Sequence, residues 1–243
     1  VTAPSVTRPR GVVAVLRVTA ELSAPVAADH DLHLDAVLAA KARNYMGSRP
    51  PCRSSLASSI EDPVIPVVSV EHAGVKCWIA SAWDLPDDSQ REETRIVRRR
   101  DGEDVLQYRR GWATGAGAAK PCYVRTQLIN TPSASWLCFG NRREVASLLK
   151  RVHAIGRVRR HGYGAIKEWS VERVDMDPAE IMIRGGEAQR HLPASWVVGG
   201  EVDYGAYRPP YWHSGFLGQR VAAGTKAGGL VEPVREVLCA SRS

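Results

Sequence analysis

Residues 141–173 (NRREVASLLKRVHAIGRVRRHGYGAIKEWSVER) constrain this 243-residue chain more than any other stretch. Asn141 is placed to cap a helix, and Glu144 stands three positions on, as a capping box requires. Val145, Leu148, Leu149, Val152 and Ile155 recur at helical spacing, which predicts one buried stripe. Gly156 then supplies a left-handed stop. Arg157-Val158-Arg159-Arg160-His161-Gly162-Tyr163-Gly164 follows, too polar for a core, and Ala165–Val174 leaves it as a strand with Ala165, Trp169 and Val171 on its greasier side. The stretch holds nine Lys or Arg against three Glu, so its net +6 is most of the chain's +7. Charge concentrated in this way points to a polyanion site rather than a generally cationic surface.

The remaining bounds are consistent with that reading. A pI near 9.4 with mixed charge suits nucleic acid or an acidic membrane surface. No apolar run approaches the roughly 20 residues of a membrane span, and the opening VTAPSVTRPR lacks a signal peptide's apolar segment, so a cytoplasmic location without membrane contact is expected. The five cysteines (52, 77, 122, 138, 239) are scattered and include no C-x-x-C, which fits buried reduced thiols better than a disulfide frame or a zinc site.

Residues 12–22 alternate as a sheet strand: Val12, Ala14, Leu16, Val18, Ala20 and Leu22 share one greasy side, and Arg17, Thr19 and Glu21 share the partly polar other with Val13 and Val15. Pro25 breaks it. Asp29 or Asp31 is placed to open a helix carrying Leu34, Val37, Leu38 and Ala42. Val64–Val70 and Val75–Ala82 flank the turn Glu71-His72-Ala73-Gly74 as a hairpin. From 84 to 120, Arg91, Arg95, Arg98, Arg99, Arg100, Arg109 and Arg110 are interleaved with acids around Asp101-Gly102. This is read as an inserted, protruding basic hairpin, with a solvated loop as the alternative. Gly115–Lys120 lacks the remaining residues of any nucleotide loop. Val124–Leu128 and Ser135–Phe139 are further strands. The element order predicts an α+β fold, an RRM-like or ferredoxin-like antiparallel sheet with helices on one face. Residues 1–178 form that domain with the insert 84–120, and the Gly- and Pro-rich residues 179–243 form a C-terminal extension packing on it.

The helix, the segment GRVRRHGYG and the following strand resemble the glycine-rich loop of RAMP proteins of CRISPR–Cas systems. Leu32-His33-Leu34-Asp35-Ala36-Val37-Leu38, Arg190-His191-Leu192-Pro193 and Pro209-Pro210-Tyr211-Trp212-His213 are similar to the type IV CRISPR effector subunit that caps the 5′ end of the crRNA. The resemblance covers residues 12–46, 135–174 and 189–213. It implies a non-catalytic RNA-binding subunit of an antiviral ribonucleoprotein, without metal or cofactor. Such a subunit holds the crRNA 5′ handle, meets backbone RAMP subunits and a large subunit, and reaches target DNA through the complex. The implied RNA contacts are Arg142, Arg143, Arg157, Arg159, Arg160, His161, Gly162, Tyr163, Gly164 and Lys167. Arg98, Arg99, Arg100, Arg109 and Arg110 join them from the insert, acting as a thumb across the RNA.

The residue chemistry agrees with that job. Gly162 and Gly164 would bring main-chain N–H groups to phosphates, the arginines would make bidentate contacts, and Tyr163 or His161 would stack on a splayed base. Each has a plainer reading beside it: a helix stop and tight turn for the glycines, core packing for Tyr163. His33 and Asp35, two apart on a helix, point away from each other, so a role in bonding nearby backbone fits them better than a shared metal. The aromatic loop Tyr204–Phe216 reads as a rigid packed segment or a partner-docking surface. Two rival functions remain. One is a metal-independent endoribonuclease that processes repeat RNA, drafting His161, His30, His33 and Tyr163 into acid–base roles. The other is a basic RNA-binding module outside CRISPR.

Overall fold

The computed structural model describes residues 3–45, 62–98, 122–211 and 214–240. Strand β1 (Ser5–Thr7) and the long β2 (Ala14–Leu22) come first, then the two-residue β3 (Val26–Ala27) and helix α1 (Leu34–Tyr45). β4 (Ser69–His72) and β5 (Val75–Trp78) form a hairpin, and β6 (Gln90–Arg98), β7 (Cys122–Asn130) and β8 (Ser133–Gly140) lead to α2 (Arg142–Leu149) and β9 (Ile166–Arg173). The C-terminal part holds β10 (Ile183–Arg184), β11 (Glu187–Ala188), β12 (Leu192–Pro193), β13 (Val202–Ala206), β14 (Leu217–Val221) and α3 (Glu232–Ala240). The chain is therefore mixed α+β, with several small antiparallel sheets and, among the described residues, three α-helices.

β2 is the centre of this arrangement. It pairs antiparallel with β8 on one side (Ala14↔Gly140 to Glu21↔Ser133) and with β9 on the other. The far edge of β8 is taken by the extended residues 79–84, through Phe139 N–H to Ile79 O, Ser81 N–H to Leu137 O and bridges at Ala80↔Cys138 and Asp84↔Ser135. The alternation in β2 sends successive side chains into two different cores. Leu16, Val18 and Ala20 meet Ala134, Trp136 and Cys138 beneath α1 (Leu34, Leu38) and α2 (Val145, Leu149). The buried Trp136 indole donates to Leu32 O at 2.8 Å, so its polar edge is satisfied. Val15, Leu137 and Phe139 face the other way. They pack with Val70, Cys77 and Ile79 against Ile181, Met182, Leu192, Trp196, Val234 and Leu238. Burial pushes the Cys77 and Cys138 thiols up to about 12, as befits inert, reduced residues.

The Asn141 cap forms as expected, its Oδ1 accepting from Glu144 N–H at 3.1 Å. The helix it opens is shorter than the 145–155 stripe. It ends at Leu149 because Arg151 N–H and Val152 N–H turn back to Leu148 O and Leu149 O in a tightened last turn. Val152 and Ile155 are still buried, but from extended chain beyond the helix. Gly156 is accordingly not the helix stop. Its φ of +79° serves a close approach, since a Cβ there would lie 2.6 Å from Ala27 O.

The hairpin expected around Glu71-His72-Ala73-Gly74 forms from β4 and β5 with a tighter turn: Glu71 and His72 belong to β4, and Ala73 and Gly74 turn at positive φ. The expected 84–120 insert differs in detail. β6 starts at Gln90 and pairs along nine residues with β7, from Gln90↔Asn130 to Arg98↔Cys122. The strand expected at Val124–Leu128 is thus the hairpin's second arm. β3 adds to its base through Val26↔Ile129 and Ala27↔Leu128. Arg99, Arg100, Arg109 and Arg110, with the Asp101-Gly102 turn, lie outside the described residues.

Two glycines of the basic loop differ in what they tolerate. Gly164 has φ +66° and a Cβ there would stand 2.0 Å from Ile155 O, whereas Gly162 has φ +87° with nothing within 4 Å. Gly164→Ala is expected to destabilise by about 3 kcal/mol or more, from strain and backbone clash together, and Gly162→Ala by ~1–2 kcal/mol from strain alone. Urea denaturation of the two variants measures the difference.

Candidate nucleic-acid interface

The basic loop is a lobe closed at its neck. Ala154 and Ala165 bridge, Ile155 N–H donates to Gly164 O, and Ile166 N–H donates to His153 O. Its lower edge is docked on residues 25–29. Gly164 N–H donates to Pro25 O at 2.7 Å, Arg157 N–H to Ala27 O at 2.7 Å, and the Arg157 guanidinium pairs with Asp29. At the tip, Arg159–His161 form a 3₁₀ turn entered through Val158 at φ +53° and closed by Gly162 N–H donating to Arg159 O. Arg159, Arg160 and His161 are exposed, Tyr163 is half-buried and Gly164 is buried.

This placement corrects the part expected of the glycines. The N–H groups of Gly162 and Gly164 are both engaged within the protein, so the lobe offers cationic side chains rather than a backbone nest. Arg157, in the expected set, spends its charge on Asp29. That carboxylate also accepts from Thr126 Oγ1 (2.7 Å) and Gln127 N–H (3.2 Å) on β7. Asp29 therefore joins the lobe to the hairpin base, which is why it does not cap α1. Lys167 is paired with Glu21 across the sheet at 2.5 Å, and Arg142 Nε donates to Val171 O at 2.9 Å. Arg143 lines a separate groove with Arg8 and Arg10. Arg98 ends β6. Of the described candidates, Arg159, Arg160 and His161 are the exposed side chains at the lobe tip.

The other sequence motifs meet at a buried polar centre. Asp35 and Arg190 are paired at 2.9 Å and neither side chain is exposed at all. Arg190 also donates to Trp78 O, Ala80 O (3.0 Å), His191 O (3.1 Å), Tyr207 O (2.8 Å) and Tyr211 Oη (3.1 Å). Tyr211 Oη donates to Asp35 Oδ1 at 3.1 Å, and its ring stacks on His33 with centroids 4.8 Å apart. His33 Nε2 accepts from His191 N–H. His33 does not lie on the helix as expected but bridges Ala82 just before it, and it shares Tyr211 with Asp35 in the first turn of α1. Tyr211 is accordingly a packed residue rather than an exposed docking one, and Trp212 lies outside the described residues. Arg190 is the participant that sequence reasoning did not single out. A carboxylate on a helix with apolar neighbours requires a buried cation, and Arg190 stands in a motif already noted.

Burial acts first on each of these groups. It works against the charge on Arg190, but Asp35 and Tyr211 more than restore it, so the guanidinium stays charged. Burial raises the Asp35 carboxyl, opposed by Arg190. It lowers His33 well below its ordinary value, helped by the Arg190 and His191 charges. It lowers His191 to about 3, helped by Arg220 and Arg190.

Residues 111–218 match the family described as CRISPR type IV associated protein Csf3. The similarity to a type IV CRISPR effector subunit, drawn from the motifs, is shown. The matched span takes in β7, β8, α2, the basic lobe, β9, Arg190 and Tyr211, while His33 and Asp35 precede it. No curated protein matches the chain. Among the described residues, no helix is long and apolar enough to cross a membrane.

Two outcomes follow for stability. Arg190→Met leaves Asp35 buried without its cation and is expected to cost about 3–5 kcal/mol, whereas Asp35→Asn with Arg190→Met together cost less than the sum. Denaturant midpoints of the single and double variants test this. The depressed histidines stay neutral in the folded state while the unfolded chain takes up protons below about 6.5, so stability falls with pH between 6.5 and about 3. His191 contributes about 1.4 kcal/mol per pH unit in that window, and the lowered His33 acts in the same direction. Urea midpoints at pH 7 and pH 5 measure the slope, which His191→Gln should reduce.

Proposed function

We propose that this protein is the non-catalytic RNA-binding subunit of a type IV CRISPR ribonucleoprotein, holding the 5′ handle of the crRNA and capping the filament of backbone subunits. The observation that carries this reading is the exposed Arg159-Arg160-His161 turn, held out on a lobe whose lower edge is hydrogen-bonded to Pro25 and Ala27. A polyanion is the partner that suits cations presented on so rigid a base. The sheet supports the RAMP assignment. In spatial order it runs β9, β2, β8 and then residues 79–84, with α1 and α2 on one face, an order that supports the RRM-like or ferredoxin-like reading. The β6–β7 hairpin, inserted between residues 84 and 133, is the counterpart of a thumb, and Asp29 ties its base to the lobe. Target DNA and the large subunit are then reached through the assembled complex. Of the histidines in the rival nuclease reading, His33 is buried and bonded and so withdrawn from acid–base chemistry, while His30 and His161 are exposed and His161 is the one to test.

The test uses fluorescence anisotropy with repeat-derived RNA and the full chain, with the RNA analysed for cleavage afterwards. Arg159→Ala/Arg160→Ala is expected to weaken binding and to flatten the slope of log K against log salt by about 1.4, or roughly 0.7 for each lost phosphate contact on a single strand. The RNA is expected to emerge intact. Unchanged binding in the double variant, or metal-independent cleavage lost with His161→Ala, would overturn the proposal.

A further inference from the structure

Beside the basic lobe lies a cleft of about 830 Å³ that the RNA-binding argument has not used. Its walls come from four directions: the lobe (Arg157), the hairpin base (Arg91, Gln127), the approach to α1 (residues 28–33) and the C-terminal sheet (His191, Arg220). The volume is that of a small-ligand site, wide enough for one nucleotide. Three features define its chemistry.

At one side stands Trp83, half-buried, its indole held by Nε1–H donating to Asp31 Oδ1 at 3.2 Å. A half-buried aromatic ring held in place at the wall of a cleft is suited to stacking on a base. On the inner wall, His191 Nδ1 accepts from Ala223 N–H at 3.1 Å, so the neutral ring carries its proton on Nε2. That Nε2–H has no partner among the described residues and offers a donor of fixed position. At the rim, Arg91 is exposed, and Arg157 connects the cleft to the lobe that presents Arg159 and Arg160. Arg157 and Arg220 are themselves paired, with Asp29 and Asp203, so the interior is close to neutral while its approaches are cationic. A phosphate would not seek that interior. A heteroaromatic base with an acceptor edge would, its strand staying on the cations outside.

We propose that this cleft receives one unstacked base, laid against Trp83 and read by the His191 Nε2–H, from the strand whose phosphates lie along the lobe. The proposal rests on the RNA-binding reading above and adds a base-reading subsite to it. Single-stranded RNA is recognised by splayed bases stacked on aromatic side chains and hydrogen-bonded at their edges, and the cleft supplies both contacts next to a phosphate track. It also assigns a task to the buried centre. Arg190 anchors the main chain of His191, and His33 accepts its N–H, so the network sets where the His191 ring stands.

The experiment is an abasic scan. Repeat-derived RNAs, each lacking one base, are titrated against the full-length wild type, Trp83→Leu and Arg91→Ala, with urea midpoints confirming that the variants fold. One position is expected at which base removal weakens wild-type binding about tenfold or more. Trp83→Leu should weaken the intact RNA similarly and be insensitive to base removal at that position. Arg91→Ala, altering an exposed rim cation, should weaken every RNA alike by a few-fold. A flat scan with tight binding, still sensitive to Arg159→Ala/Arg160→Ala, would overturn the base site and leave the RNA-binding role standing. Wild type that binds none of these RNAs would overturn both. Titration with free nucleoside 5′-monophosphates separates the two sources of a base. Saturable binding abolished by Trp83→Leu, together with a flat scan, would reassign the cleft to a free nucleotide.

Discussion

The Arg190–Asp35 ion pair is the interaction on which the rest of this structure depends. Two opposite charges fully removed from water are costly unless geometry and hydrogen bonds compensate them. Here the compensation is extensive. The guanidinium serves Asp35, Tyr211 Oη and four main-chain carbonyls, at Trp78, Ala80, His191 and Tyr207. Those carbonyls belong to the extended edge beside β8, the start of β12 and the loop after β13. Asp35 itself lies in the first turn of α1, where a negative charge also suits the helix dipole. One side chain thus pins the beginning of the first helix, the edge of the central sheet and the C-terminal loops to a common point. A buried pair of this kind adds little stability over an apolar substitute. What it supplies is a strict requirement that these segments meet in one geometry.

That requirement organises the two faces of β2. The helices cover Leu16, Val18 and Ala20, and the C-terminal residues cover Val15 and its neighbours, so both sides of the sheet near Arg190 are occupied by protein. Further along, the strands carry Glu21, Glu168 and Glu172 beside Arg17. Beside the sheet stand the basic lobe and the hairpin base. Asp29 makes those two neighbours a single unit, because it holds Arg157 from one and Thr126 and Gln127 from the other. The exposed arginines at the lobe tip gain their orientation from this docking, to which Gly164 N–H contributes through Pro25 O.

Local chemistry is what the sequence displays best, and several elements show it. The Asn141–Glu144 cap needs only residues three apart, and it forms. Ala73-Gly74 between two apolar runs needs only a turn with positive φ, and it forms. The β2 alternation assigned its own two faces. The end of α2 was not legible in the same way. Val152 and Ile155 continue the helical spacing, but their burial is satisfied equally by extended chain, and the neck at Ala154–Ala165 requires the helix to have stopped. Nor does Asp29 announce its role. An aspartate after a broken strand reads as a helix cap, and only the approach of β7 and the lobe makes it a junction.

By itself, then, the sequence determined the strand and helix periodicities, the concentration of positive charge at 157–160, and the motifs that resemble those of a type IV CRISPR subunit. These depend on neighbours within a few positions along the chain. The tertiary structure alone decided which cations remain exposed, which are spent on Asp29 and Glu21, and which carboxylate receives Arg190 from 155 residues away in the chain. The physical reason is that the fate of a charge depends on desolvation and on the partners brought to it. Both are properties of the packed molecule and not of the local segment.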